Sequence, residues 1–158
     1  MNSNAKKFWL IKSEPEVYSI SCLKKDRKTL WTGVRNYQAR NFMVNEMKLN
    51  DEVLFYHSNA KPTGVAGLAR VSRLALADHT AWDKKSQSFD PKASPSKPIW
   101  FCVEVEYVKT FPQVVELTRL KSEPALKDLL AIQRGQRLSV QPVSEKDFHH
   151  IVQMGLKA

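Results

Sequence analysis

Between Trp31 and Phe42 the chain reads WTGVRNYQARNF, which sets an indole, a phenol and a phenyl ring beside two guanidiniums, two Asn amides and a Gln amide. A bland surface helix would draw on Lys and Glu, and a core helix on Leu and Ile. Flat faces for stacking, mixed with forked donors and amides, instead suit a planar polar ligand beside a phosphate, which describes a nucleobase. A helix starting near Asn36 makes Trp31–Arg35 the loop that enters it, with backbone N–H groups facing an anion. Arg35 and Arg40 can then hold phosphate in bidentate fashion, and Trp31 can stack on a base. The amides of Asn36 and Asn41 belong to the same constellation. The competing reading makes Trp31 and Tyr37 core anchors and the arginines a solvated face.

Three further stretches carry groups of the same kind. Phe55-Tyr56-His57-Ser58-Asn59 leaves a strand and enters a loop, a common place for binding groups. Alternation puts Phe55 and His57 on one face and Tyr56 and Ser58 on the other, so one face is core and the other is free to line a pocket. Trp9 to Pro15 runs from an apolar strand through Lys12, Ser13 and Glu14 into a Pro-stopped turn. Glu14 can accept from a base amine or pair with Lys12. In Arg137-Leu138-Ser139-Val140-Gln141-Pro142, Ser139 and Gln141 point the same way along a strand, whose plainer reading is one polar face.

The elements that must position these groups follow from periodicity. Phe8–Ile11 is a short strand, and Pro15 biases Glu14 away from helix. Ser19 caps a short helix to about Lys25. Asn36 to Met47 reads as a helix, with Ala39, Phe42, Met43 and Met47 at helical spacing. A turn at Leu49–Asp51 leads to a strand over Glu52–His57. Its nearly continuous Val53–Tyr56 run means burial on both faces, or curvature in a barrel. After a loop at Asn59–Thr63, Gly64–Leu76 is a long strand in which Gly64 and Gly67 permit a bulge or close backbone approach. Residues 77–98, with three prolines and only Trp82 and Phe89 as large rings, form a long mobile or functional loop. Ile99–Val108 alternates as a strand. A short helix over Pro124–Ile132, a strand over Gln136–Val140 and a last helix opened by Ser144 complete the chain. The short loop between the strands at 52–57 and 64–76 favours antiparallel pairing. The fold class is α+β, a small, curved or barrel-like sheet with helices packed at its ends.

The 158 residues fit one domain, spanning 1–158, and can bury a core without disulfides or metal. The charge is +9, and it is uneven: residues 1–50 carry ten basic and four acidic groups, residues 101–158 eight and seven. A basic surface favours polyanions, nucleic acid first. Cys22 and Cys102 are far apart and belong to no zinc-spaced cluster, so Cys102 reads as core and a reducing compartment is expected. With no apolar run of membrane length and no signal-peptide apolar region in MNSNAKKFWL, no membrane association is expected. The protein is expected to be intracellular, cytoplasmic in a bacterium or nuclear in a eukaryote. No hydrolase elbow, zincin, P-loop or dinucleotide motif occurs, so catalysis has little support.

Taken in order, six stretches resemble the EVE domain family: Trp9–Pro15, Trp31–Asn41, Phe55–Asn59, Gly64–Ala69, Ala81–Asp83 and Arg137–Pro142. The resemblance implies a PUA-like curved β-barrel with flanking helices, related to the YTH readers. It implies no cofactor, and a pocket for a modified base, either methylated or hydroxymethylated cytosine in DNA or a modified RNA base. On this chain Trp31 and Tyr56, or Phe55, would supply stacking faces. Asn36, Ser58 and Gln141 would read the base edge, and Glu14 would accept from an exocyclic amine. Lys12, Arg35 and Arg40 would hold flanking phosphates. Ser13, Asn41, His57 and Ser139 complete the candidate set. Two other readings use the same residues: a nucleotide-directed enzyme pairing His57 with Glu14, and a protein-interaction module for an acidic partner.

Overall fold

The computed structural model describes residues 6–157; the first five residues of the stretch read above for a leader lie outside it. Its strands are β1 (Phe8–Ser13), β2 (Lys28–Leu30), β3 (Glu52–His57), β4 (Gly64–Ala77), β5 (Phe101–Glu116) and β6 (Val140–Val143). Its α-helices are α1 (Ile20–Asp26), α2 (Tyr37–Asn41), α3 (Leu117–Lys121) and α4 (Glu145–Leu156). The strands form one mixed sheet in the order β2-β5-β4-β3-β1-β6. Only β1 and β3 pair in parallel; the remaining neighbours are antiparallel, β3 with β4 included. The α+β class is therefore observed. The expected barrel is not: among the described residues β2 and β6 end the sheet and do not pair, so the sheet is open.

Both faces of the central strands are covered, as the unbroken apolar runs of β1 and β3 require. Trp9, Ile11, Val53 and Phe55 point into one core with Ile20 and Leu23 of α1 and Ala39 of α2. Phe8, Leu10, Leu54 and Tyr56 point into a second core with Phe148, Ile151 and Met154 of α4. Each such side chain contributes about 1.5–3 kcal/mol when fully buried. Ser19 caps α1 by accepting from Cys22 N, and Ser144 caps α4 by accepting from Asp147 N. Gly67 sits where a Cβ would collide with the carbonyl of Lys109 on β5, and the β4–β5 register shifts beside it.

The helix read over Asn36–Met47 is α2 followed by a π-helical turn, Phe42–Glu46, closed by Met47 N donating to Phe42 O at 2.9 Å. Four-residue spacing in an α-helix advances about 40° past a full turn at each step. The wider turn offsets that drift, so Ala39, Met43 and Met47 all stay in the core. Other boundaries differ from expectation. β2 and α3 carry no strong periodic signal and were not expected. The stretch 124–132 forms two 3-10 turns, Pro124–Leu126 and Leu130–Ile132, with Leu126 at the end of the first and Leu129 just before the second both buried. Pairing in β6 begins only at Val140, opposite Ile11. Before it, the Gln136 side chain accepts from Leu138 N and turns the backbone out of strand. β5 starts after Ile99, whose φ of 61° is left-handed, and runs to Glu116 along its pairing with β4.

The long loop has its own small core of Ala81, Ala93 and Trp100. Asp78 N donates to Trp100 O at 2.9 Å and closes it, and Trp100 Nε1 donates to Asp90 at 2.8 Å. Arg35 fastens it to the sheet: its guanidinium donates to the Asp78 carboxylate, to Ser88 O and to Thr80 Oγ1. Asp78 is fully buried. Burial alone would raise its pKa, but hydrogen bonds from Thr80, Gly33 N and Arg35 outweigh burial and hold it below the usual value. Cys102 is buried as expected, and burial first, then the Asp78 charge, pushes its thiol up to about 12.

Two outcomes follow from this framework. Asp51, 1% exposed, accepts from Trp9 Nε1, Lys7 N and Lys48 N. Asp51→Ala strands these donors and lowers unfolding stability by about 2–4 kcal/mol in urea; a loss below about 0.5 kcal/mol contradicts this role. Arg35→Ala leaves Asp78 buried without its cation and costs about 3 kcal/mol. The stabilisation carried by Asp78 is complete above the ordinary aspartate value of 3.8 and is lost as pH falls through its lower folded value. Asp78→Asn therefore removes that part of the acid limb of the stability profile. An unchanged acid limb in this variant would show that Asp78 is not its source.

Candidate nucleic-acid interface

Where β2 ends, Trp31 N donates to Val103 O at 2.8 Å and extends the β2–β5 pairing by one residue. The backbone then turns at Gly33, which has a φ of 86° and donates its N–H to Asp78. A side chain at Gly33 would be strained by this φ. Opposite, the end of β1 turns at Pro15, and Ser13 Oγ donates to Tyr18 O at 2.6 Å. These two turns and the segment before β6 enclose a cavity of about 370 Å³.

Its walls fall into three chemical kinds. Trp31 and Tyr18 are the aromatic members, standing perpendicular at 6.3 Å and 83°. Trp31 is only 8% exposed and is braced from behind by Phe55, edge-on at 5.4 Å. Val17, Leu30 and Val34 are apolar. Ser13, Thr29, Thr32 and Ser139 bring hydroxyls, and Lys12 and Arg35 bring charge. Among the described residues the hydroxyls of Thr32 and Ser139 have no hydrogen-bond partner in the protein, so they remain open to a ligand. Burial, followed by the bond to Asp26, holds the Tyr18 phenol up at about 12, so it stays a neutral donor.

Lys12 lies between this cavity and a more open hollow lined by Pro15, Glu16, Tyr56, Ser58, Asn59 and Lys61. Its ammonium sits 5.5 Å from the Tyr56 ring centroid and has no carboxylate partner among the described residues. Burial lowers its pKa. An arriving phosphate would favour the charged form again.

The candidate residues are thus divided. Lys12, Ser13, Trp31, Arg35 and Ser139 line the cavity, and Tyr56 and Ser58 line the adjoining hollow. The others stand elsewhere. Phe55 is fully buried behind Trp31. Asn36 Oδ1 caps α2 by accepting from Ala39 N at 2.9 Å. Arg40 is bound to Asn41 and Ile99 O, outside the cavity. Gln141 faces the second core, because its pairing partner Leu10 does; Val140 takes the cavity-side face, so Gln141 has no place on the cavity wall. Arg35 lines the wall, but Asp78 neutralises it and the loop occupies its nitrogens, so its main work is docking.

The proposed acid–base pair does not form. His57 Nε2 accepts from Ile20 N at 3.1 Å, and burial lowers its pKa, while Glu14 accepts from Asn59 at 2.7 Å. No hydrogen bond joins the two among the described residues. Missing from the candidate set were Val17, Tyr18, Thr29, Leu30, Thr32, Gly33 and Val34. Their signal was position, not type: they flank Trp31 or follow Pro15, two of them in β2 and the rest in the turns beside it.

The EVE domain model matches residues 7–154. Human thymocyte nuclear protein 1 is 38% identical over 170 residues, covering 96% of this chain and 75% of the human protein. A hypothetical protein from Leishmania major is 47% identical with a TM-score of 0.93, over 99% of this chain and 98% of that one. Human THYN1 protein, in a crystal structure in complex with 5-methylcytosine containing DNA, is 38% identical with a TM-score of 0.89, over 97% of this chain and 99% of that one. Sequence match and fold agree over nearly the whole described length, and the chain belongs to the EVE domain family.

Proposed function

We propose that the chain, acting as one domain over 1–158, is a non-catalytic reader of a modified base in nucleic acid, with methylated cytosine in DNA as its ligand. The observation that carries this reading is the cavity beside Trp31. Its volume suits a single base, its walls combine aromatic, apolar and hydroxyl groups, and Lys12, with no carboxylate partner among the described residues, stands at its edge. The human relative in complex with 5-methylcytosine containing DNA supports the choice of ligand.

In this reading the base enters the cavity alongside Trp31 and Tyr18. Val17, Leu30 and Val34 receive its methyl group, Thr32 and Ser139 meet its polar edge, and Lys12 meets the adjoining phosphate. Tyr56 and Ser58 border the hollow along which the strand would leave. A duplex base must be flipped from its stack to enter, at a cost of a few kcal/mol. Trp31 contributes a wall braced by Phe55, which limits how far it can move. In this reading the protein meets its partner inside the cell, in the cytoplasm of a bacterium or the nucleus of a eukaryote, and the name of the human relative is in keeping with the latter.

Burying one methyl group contributes about 1 kcal/mol. Single-stranded oligonucleotides carrying one 5-methylcytosine should therefore bind roughly five- to tenfold tighter than their plain counterparts at fixed salt. Lys12→Gln should weaken both equally and reduce the slope of log affinity against log salt by about 1. Equal affinity for the two oligonucleotides, measured by fluorescence anisotropy, would rule out the modified-base reading.

A further inference from the structure

The motif that opens with Trp31 continues past the cavity wall to a second aromatic surface. Tyr37, the first residue of α2, is 59% exposed, although its ring is firmly held. It stacks on Trp100 at 4.8 Å and 19° between planes. Trp100 is itself 5% exposed, tied through Nε1 to Asp90 and covered by the Arg35 guanidinium at 5.3 Å. The outer part of the Tyr37 ring is thus presented to solvent in a fixed plane. The Arg40 guanidinium lies over the ring at 4.7 Å from its centroid and also 5.6 Å from that of Trp100, near both rings of the stack, positioned by Asn41 Oδ1 and Ile99 O. No carboxylate neutralises Arg40 among the described residues.

We propose that Tyr37 is a stacking platform for the nucleobase next along the strand from the one in the cavity, with Arg40 meeting its phosphate. The inference rests on the base-reading function for the identity of the strand, which we take to be DNA. The geometry points to a neighbouring nucleotide because the layers are contiguous. Arg35 lines the cavity and covers Trp100, and Trp100 carries Tyr37. One side chain and one ring therefore separate the two surfaces. A flat ring with an uncompensated cation alongside matches the two features every nucleotide offers, a π-face and a phosphate. Stacking of this kind is tolerant of sequence, so the platform adds affinity without specifying the neighbour.

The test uses single-stranded DNA bearing one 5-methylcytosine, intact or with an abasic residue immediately 5′ or 3′ of it. At one of the two positions the abasic residue should lower wild-type affinity roughly 5- to 100-fold. Tyr37→Ala should show the same loss on intact DNA and no further loss on that abasic strand, while Tyr37→Phe should bind as wild type. Wild-type affinity of Tyr37→Ala for intact DNA overturns the platform. So does an equal loss on intact and abasic strands, which marks a disturbed fold. In either case a persisting preference of the wild type for 5-methylcytosine leaves the base-reading function standing. Loss of that preference in the wild type overturns both. Tighter binding of the matching RNA strand overturns the assignment to DNA.

Discussion

Asp78 carries a carboxylate with no exposure to solvent, and its charge is answered both from its own loop and from a distant stretch of chain. Arg35 and the N–H of Gly33 come from the cavity wall, and Thr80 comes from the long loop. An unpaired charge in that position would be costly. The loop and the wall are therefore fixed to each other through one anion. The consequences spread from there: Gly33 takes its turn beside Trp31, Arg35 covers Trp100, and Trp100 carries Tyr37. Both aromatic surfaces depend on this one buried ion pair.

The sheet supplies the rigid frame beneath. Because β1 and β3 are covered on both faces, their ends cannot tilt without disturbing a core. Lys12 and Ser13 leave the end of β1 into the wall, and Asp51 ties the other end of the strand through Trp9 and Lys7. Phe55 on β3 stands behind Trp31. The aromatic wall is thereby preorganised, which reduces what a ligand must order when it binds.

Much of the frame was legible in the chain. The apolar runs of β1 and β3, the serine caps of α1 and α4, and the glycines of β4 each reflect a local physical requirement, and each stands where expected. The cavity was legible only in part. Trp31, Lys12, Ser13 and Ser139 announced themselves by type and by lying at strand ends. Arg35, Arg40 and Asn36 look equally suited to the cavity by type, but Arg35 docks the long loop, Arg40 stands outside the cavity against Tyr37, and Asn36 caps a helix. Nothing local in the sequence tells a guanidinium that faces Asp78 from one that faces solvent. Gln141 was misplaced because its strand begins at Val140, so its side is set by Leu10 across the sheet. Tyr18, Thr29 and Thr32 carry no distinctive signal, and only the fold brings them to Trp31.

The central claim is that a single base occupies the cavity beside Trp31. The most direct test is a crystal structure of the protein with a 5-methylcytosine oligonucleotide. Electron density for the modified base is expected inside the cavity, alongside Trp31 and Tyr18, with its methyl group against Val17, Leu30 or Val34. A strand bound with its bases outside the cavity, and the cavity filled by solvent, would contradict it.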